Sequence, residues 1–291
     1  MSERVLITGV SGFIGRHVAK EALRRGYRVT GLDRKPSKVD GVDFIGADIR
    51  DADRIARTME SQSCVVHLAA VTSNVEFIKN PRECYDINAN GFLNIIDAAV
   101  RGGCRRFVYA SSAAVYLDGF SEDTVIDLRK QGNHYAKTKI MNEMVAKSYQ
   151  SVHGLRTIGL RFFNVYGNGE NTKGDYASIA TIFLKAHKNR EQLVVYGDGT
   201  QSRDLIQVED AARVTMDLLE KGTEDVYNVG TGASTTYTAI AQMIDRDRIR
   251  YVPNPLVDYQ HYTRADTDRL RRVLGDYEFV DLQRGIALLE V

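Results

Sequence analysis

Arg4-Val5-Leu6-Ile7-Thr8-Gly9-Val10-Ser11-Gly12-Phe13-Ile14-Gly15 is the stretch on which the fold turns. Its first five residues form an apolar, β-branched run, which predicts a strand covered on both faces. From Phe13 the apolar residues Phe13, Ile14, Val18 and Ala22 fall at helical spacing and predict a helix to Arg25. Three glycines occupy the junction. Gly9 permits a tight turn, Gly12 lets the backbone approach a pyrophosphate, and Gly15 allows helix and strand to pack closely. Ser11, Phe13 and Ile14 lie among these glycines, at the helix N-terminus that such a pyrophosphate would face. A dinucleotide is therefore the expected ligand.

Working outward, Arg28–Leu32, Val42–Ile45, Cys64–Ala69 and Arg106–Ser111 read as further strands, with helices over Pro81–Arg101 and His134–Ser151. This alternation predicts an α/β fold with a doubly wound parallel sheet. Asp33 closes the second strand, where an acidic side chain binds the ribose hydroxyls of NAD and repels the extra phosphate of NADP. Arg34, beside it, would instead pair with that phosphate. Asp48, with Ile49, follows the third strand as a candidate for the adenine edge; Asp48 also reads as a cap before Asp51-Ala52-Asp53.

The second half is less regular. A strand is expected at Thr157–Phe162 and a loop at Asn164–Gly174, followed by helices near Tyr176–Lys188, Glu209–Glu220 and Thr238–Ile244. The expected division is a nucleotide-binding domain over 1–163 and a smaller substrate lobe over 164–291, with segments near 204–230 returning to the first.

Composition narrows the classes. Lys+Arg is 39 and Asp+Glu 38, a net charge of +1, so nothing calls for nucleic acid or an acidic membrane. Cys64, Cys84 and Cys104 are odd in number and fit no metal spacing. No charged leader precedes an apolar run, and no apolar stretch is long enough to span a bilayer. The expectation is a cytoplasmic protein with reduced thiols and no metal.

Tyr135 and Lys139 stand one helical turn apart and share a face. An ammonium beside a phenol favours the phenolate and lowers its pKa, and a phenolate within reach of a sugar hydroxyl is a general base. His134 reads as a first-turn helix residue.

With these residues in place the chain resembles the extended short-chain dehydrogenase/reductases, the NAD-dependent nucleotide-sugar epimerases and dehydratases. The resemblance runs from Val5 to about Asp276. It is carried by the glycine-rich opening, Asp48-Ile49-Arg50-Asp51, His67-Leu68-Ala69-Ala70 and Asn88-Ala89-Asn90-Gly91. Ser111-Ser112-Ala113-Ala114-Val115-Tyr116, the Tyr135/Lys139 pair and Arg161-Phe162-Phe163-Asn164-Val165-Tyr166-Gly167 continue it. Gly197-Asp198-Gly199-Thr200-Gln201-Ser202-Arg203-Asp204 and Tyr227-Asn228-Val229-Gly230-Thr231-Gly232 complete it. The resemblance implies NAD as cofactor, a nucleotide-sugar substrate and a homodimer through a helix bundle including the His134 and Pro81 helices. It implies that Ser112 polarises the sugar oxygen, that Tyr135 is the base, and that Lys139 also binds the nicotinamide ribose. Leu68, Ala69, Ala70, Asn88, Ser111, Phe163 and Val165 would contribute to the cofactor site. Thr72, Asn164, Lys173, Tyr196, Arg203 and Thr263 would contribute to the substrate site, with Asn164 and Arg203 on the diphosphate. Leu117 departs from the glycine usual in the family.

The resemblance also bears on the reaction. Sugar dehydratases of this family carry Asp-Glu after the Ser112 position and decarboxylating relatives carry a glutamate; this chain has Ala113-Ala114. That leaves 4-epimerisation of a UDP-sugar through a 4-keto intermediate, with the cofactor regenerated. The alternatives are an ADP-heptose 6-epimerase-like enzyme using Lys173, a keto-sugar reductase, and a non-catalytic NAD sensor. Thr263, two residues before Ala265-Asp266, stands where 4-epimerases gate the C2 substituent, and its small size implies room for a 2-acetamido sugar; a shift of one residue would put Tyr262 there, which would close the pocket, or Arg264, which would suggest a carboxylate such as a uronic acid.

Overall fold

The computed structural model describes residues 3–117, 119–170, 177–223, 225–254 and 260–290. β1 (Arg4–Thr8) has Val5, Leu6, Ile7 and Thr8 fully buried, as a doubly covered strand requires. α1 (Phe13–Arg24) buries Phe13, Val18, Ala19 and Ala22 on one side. β2 (Arg28–Asp33), β3 (Asp43–Gly46), α2 (Ala52–Met59) and β4 (Cys64–His67) follow. Asp51 caps α2 by accepting from Arg54 N. β4 ends at His67, shorter than expected, and the N–H groups of Leu68 and Ala69 reach the Thr8 hydroxyl, each at 3.2 Å.

α3 (Asn74–Lys79) precedes α4 (Pro81–Tyr85) and α5 (Gly91–Arg101). The single helix expected over Pro81–Arg101 is instead widened between α4 and α5 into a π-helical segment, Asp86–Asn90, which carries Asn88. β5 (Arg106–Ser112), α6 (His134–His153) and β6 (Arg156–Phe162) come next.

Beyond β6 the chain forms β7 (Asn164–Tyr166), α7 (Ile179–Lys188), β8 (Leu193–Tyr196), β9 (Ser202–Gln207), α8 (Val208–Lys221) and β10 (Val226–Val229). It ends with β11 (Ser234–Thr236), α9 (Tyr237–Ile244), β12 (Ile249–Val252), α10 (Asp268–Leu274) and α11 (Leu282–Ala287). The stretch expected as a loop from Asn164 thus opens with a strand. Asn164 lies in register with Leu205 of β9, and Val165 and Tyr166 are buried. Residues 171–176 of that stretch lie outside the described residues.

The main sheet has the order β10-β6-β5-β4-β1-β2-β3, and the pairs β1/β2, β1/β4, β2/β3 and β4/β5 are parallel. Strand order reverses at β1, between β2 and β4. A crevice outside the carboxyl ends of the strands at such a reversal is where doubly wound sheets bind ligands.

The chain divides into two compact units. The first comprises Met1–Leu117, Asp123–Arg161 and Ala212–Tyr227, the second Asp118–Glu122, Phe162–Ala211 and Asn228–Val291. Leu6, Leu32, Val65, Phe92, Phe107 and Tyr109 centre the core of the first. Tyr166, Phe183, Leu193, Val195, Leu205 and Ile240 centre that of the second, where β9 pairs with β7 and β11, and β8 with β12.

Candidate active site

The turn from β1 to α1 is shaped by side chains it lacks. Gly9 has φ +71°, and a Cβ there would stand 2.8 Å from Ala69 N. A Cβ on Gly15 would strike the Gly9 carbonyl oxygen, and one on Gly12 would lie 3.0 Å from the same atom. Gly12 N donates to Gly9 O at 2.9 Å and closes the turn. The bare backbone at the head of α1 fits a pyrophosphate.

A cavity of about 180 Å³ opens beside this turn, at the carboxyl ends of β1, β2, β3 and β4. Gly9, Gly12, Asp33, Arg34, Asp48, Ile49, Leu68, Ala69 and Ala70 line it, together with Leu32, Ala47, Val71 and Ile87. Of the residues expected to hold a dinucleotide, nine line this cavity, and Ser11, Phe13, Ile14, Gly15, Asn88, Ser111, Tyr135, Lys139, Phe163 and Val165 do not. Asp33 accepts Ser11 N at 3.1 Å and Lys35 N at 3.0 Å, so its carboxylate also holds the turn over the cavity. Arg34 is exposed at the rim. Arg50 grips Asp48 through Nε (3.1 Å) and Nη2 (2.8 Å), and these hydrogen bonds hold the Asp48 carboxyl below its ordinary range. Ser11 is half-buried, Phe13 buried and Ile14 half-buried, at the start of α1.

Asn88 touches the cavity indirectly. Its side chain accepts Val71 N at 2.8 Å and donates to Val71 O at 2.9 Å and Thr138 Oγ1 at 3.1 Å. With its amide so engaged, it clamps the segment after β4 to α6. Thr72, next in that segment, is exposed.

Ser112, Tyr135 and Lys139 belong to the same unit. Asn133 caps α6 by accepting Ala136 N at 3.1 Å, which sets Tyr135 in the first turn. The Ser112 side chain lies close enough to the Tyr135 phenol to favour its phenolate. The Lys139 ammonium lies 5.6 Å from the Tyr135 ring centroid and donates to Ala110 O at 2.9 Å. Burial pushes the Tyr135 phenol up to about 12, against the opposing pull of Ser112. Burial lowers Lys139 to about 8, with the Glu143 charge opposing. The Tyr-Lys spacing predicts a lowered phenol, whereas burial raises it. Ser112 Oγ also accepts Ala114 N at 3.1 Å, capping the 3₁₀ turn Ala113–Val115, so the positions after Ser112 present methyl groups and no carboxylate. His134 Nδ1 lies 3.1 Å from the Tyr85 hydroxyl.

Ser111 donates to Glu143 Oε1 at 2.5 Å. Arg161 clasps the same carboxylate through Nε at 2.9 Å and Nη2 at 2.8 Å. Sequence reasoning passed over Glu143; its place one turn beyond Lys139 was the signal available.

The second unit holds the other expected residues. Asn164 Nδ2 donates to Asp204 O and Thr263 Oγ1, both at 3.2 Å. Arg203 is half-buried, donates to Ser202 O at 2.8 Å and lies 5.5 Å from the Tyr237 ring centroid. Phe163 and Val165 are buried, and Tyr196 is 41% exposed. Thr263 requires a correction. It is 1% exposed, and its hydroxyl accepts Asp204 N and Asn164 Nδ2. A side chain so enclosed cannot gate a pocket. Its burial follows from the Asp204 carboxylate, which draws in Thr231, Gly232 and Ala265 N at 2.7 to 3.0 Å. Lys173 lies outside the described residues. Among the described residues no cluster of His, Cys, Asp or Glu is placed to hold a metal, and no helix is long and apolar enough to cross a membrane.

A doubly wound sheet with a bare glycine turn at its switch point and a Ser-Tyr-Lys group in the same unit defines a dinucleotide-dependent enzyme of the Rossmann class. More narrowly, the chain belongs to the NAD dependent epimerase/dehydratase family, whose profile matches residues 5–230, and its cofactor is NAD. It is 32% identical to UDP-N-acetyl-alpha-D-glucosaminuronate decarboxylase of Bacillus cytotoxicus, over 98% of this chain and 96% of that one. It is 29% identical to ADP-L-glycero-D-manno-heptose-6-epimerase of Alkalilimnicola ehrlichii, over 97% and 95%. The structure of UDP-glucose 4-epimerase from Thermotoga maritima with UDP-glucose superposes with a TM-score of 0.88 at 26% identity, covering 98% and 96%.

Proposed function

We propose that this protein is a UDP-sugar 4-epimerase working through a 4-keto intermediate. The observation that carries the reading is the turn after Ser112. The resemblance implies that relatives which eliminate or decarboxylate carry carboxylates there, and Ala113 and Ala114 supply none. Ser112, Tyr135 and Lys139 are otherwise complete, which an NAD sensor would not need. The similarity to a decarboxylase and to a 6-epimerase leaves the reaction to be decided by such local chemistry.

NAD bound in the glycine cradle supplies a hydride acceptor that becomes a donor again. The chain's residues do the rest. Tyr135 Oη takes the proton of the sugar hydroxyl and returns it, and Ser112 Oγ steadies the same oxygen. Lys139 provides positive charge beside the phenol. Arg203, a guanidinium suited to phosphate oxygens, and Asn164 hold the diphosphate, and the second unit is the substrate lobe. Asp33 sets a preference for NAD over NADP, which calorimetry with both cofactors checks.

We further propose a homodimer, supported by Met141 and Met144, three residues apart and exposed on α6 (37% and 62%); sedimentation measures it. Buried, unpaired Cys64, Cys84 and Cys104 support a cytoplasmic setting.

The test is incubation with UDP-glucose, UDP-GlcNAc, UDP-glucuronate and an ADP-heptose without added reductant, and separately with a nucleotide keto sugar and NADH, each followed by NMR. The expected result is C4 inversion of at least one sugar with no net NADH. Loss of carbon dioxide or water, or consumption of NADH with a keto sugar, would replace this reading. Inversion at C6 of an ADP-heptose would favour the second reading, in which Lys173 is an acid/base.

A further inference from the structure

Tyr135, Lys139 and Glu143 succeed one another at four-residue steps and so share one face of α6. The first two face the expected chemistry. The third is engaged with protein on all sides. Its carboxylate takes the Ser111 hydroxyl and both arms of the Arg161 guanidinium, and the Glu143 and Arg161 side chains are only 13% and 5% exposed. Arg161 in turn donates Nη1 to the Tyr116 hydroxyl at 2.8 Å and lies 4.9 Å from that ring's centroid. Ser111 and Tyr116 bracket the 3₁₀ turn that Ser112 opens. One carboxylate therefore ties both ends of the Ser112 turn to the helix that carries Tyr135 and Lys139.

The charges around this group are few. Lys139 is faced by Glu143 and Tyr135 from its own helix and by His67 from β4. Glu143 is faced by Arg161 from β6, and by Tyr109 from β5 and Tyr116 after it. Arg161 is permanently charged and already paired, and burial drives His67 to about 3 and so keeps it neutral. Of these groups, Glu143 is the negative charge that stabilises a buried ammonium one turn away.

We propose that Glu143 is a positioning residue for the Ser112–Tyr135–Lys139 group: through Ser111 and Arg161 it places the turn that bears Ser112, and through its charge it stabilises the Lys139 ammonium. The role rests on those three residues being the reacting group, and it needs no contact with cofactor or sugar. It also explains how a lysine is buried beside the phenol, because the carboxylate one turn away offsets part of the cost of burying the ammonium.

The experiment reads Lys139 directly. In cofactor-free protein with ¹³C-labelled lysine, the Lys139 Cε resonance is assigned by its loss in Lys139→Arg and titrated in wild type and in Glu143→Gln. The glutamine keeps the shape and an acceptor for Ser111 but removes the charge. The Lys139 midpoint is expected to fall by about half a pH unit or more in Glu143→Gln, as removal of a close opposite charge requires. A midpoint unmoved in a folded variant, with only the melting temperature lowered, would show that Glu143 is merely structural and overturn the proposal. If Glu143→Gln does not fold, Glu143→Asp keeps the charge but draws it back by one methylene. Its Lys139 midpoint is then expected to fall by a smaller amount, and again an unmoved midpoint overturns the proposal. No substrate is involved, so failure of the UDP-sugar reading and failure of this one are separately visible.

Discussion

The Tyr135 phenol raised to about 12 cannot act as a base at neutral pH until its surroundings favour the phenolate. Tyr135→Phe removes the group outright, and turnover is expected to fall by about two to four orders of magnitude. The variant should keep its melting temperature and its affinity for NAD, and steady-state kinetics with calorimetry check this; turnover near wild type would exclude Tyr135 as the base. Thr263 gives the opposite lesson. Its position before Ala265-Asp266 was readable in the sequence, but its burial was not, because that depends on Asp204 and Asn164, 59 and 99 residues away. Thr263→Tyr should overpack the interior and break both hydrogen bonds, at a cost of about 2–4 kcal/mol. Chemical denaturation would register that loss. Activity on all accepted sugars should fall together; selective loss of N-acetyl activity would restore Thr263 as a gate.

Among the elements, β1, β4 and β5 were legible because strands buried on both faces read as nearly unbroken apolar runs. The glycine turn was legible because its spacing reflects backbone sterics alone. The strands of the second unit escaped notice. β8 alternates buried and exposed residues over Leu193–Tyr196, and β12 has no fully buried residue, so each is too short and too wet to stand out. The π-helical widening at Asp86–Asn90 leaves no mark in a helical pattern. The cradle makes a clear prediction at this scale. Gly15→Ala forces a methyl onto the Gly9 carbonyl, so α1 must move off β1. NAD affinity measured by calorimetry should drop at least about tenfold, the effect of losing well-placed backbone donors to phosphate. Unchanged affinity would mean that the turn does not hold the pyrophosphate.

For the whole molecule, His67 sets the response to acid. Its Nδ1 lies 2.8 Å from the Thr8 hydroxyl and its ring stacks on Phe107, and burial lowers it from 6.5 to about 3. The folded state therefore refuses a proton that the unfolded chain accepts between about pH 6.5 and 3. Stability present above that window is lost as pH falls through it, by up to about 1.4 kcal/mol per pH unit. Glu21 and Asp48, held low by arginine hydrogen bonds, add to the loss only within the carboxylate range. Urea unfolding between pH 6.5 and 5 should show this slope, and His67→Phe should flatten it; an equal slope in the variant would move the effect elsewhere.

The division into two interleaved units has a consequence for synthesis. Each unit is assembled from three separate stretches, and the first is completed only by Ala212–Tyr227. During translation the strands β1 to β6 emerge long before β10, which occupies the outer position beside β6. Until then β6 presents an unpaired, apolar edge, and such edges recruit other chains. The main sheet is therefore completed by a strand made late in synthesis, and neither unit can be inherited or exchanged as a contiguous piece of gene.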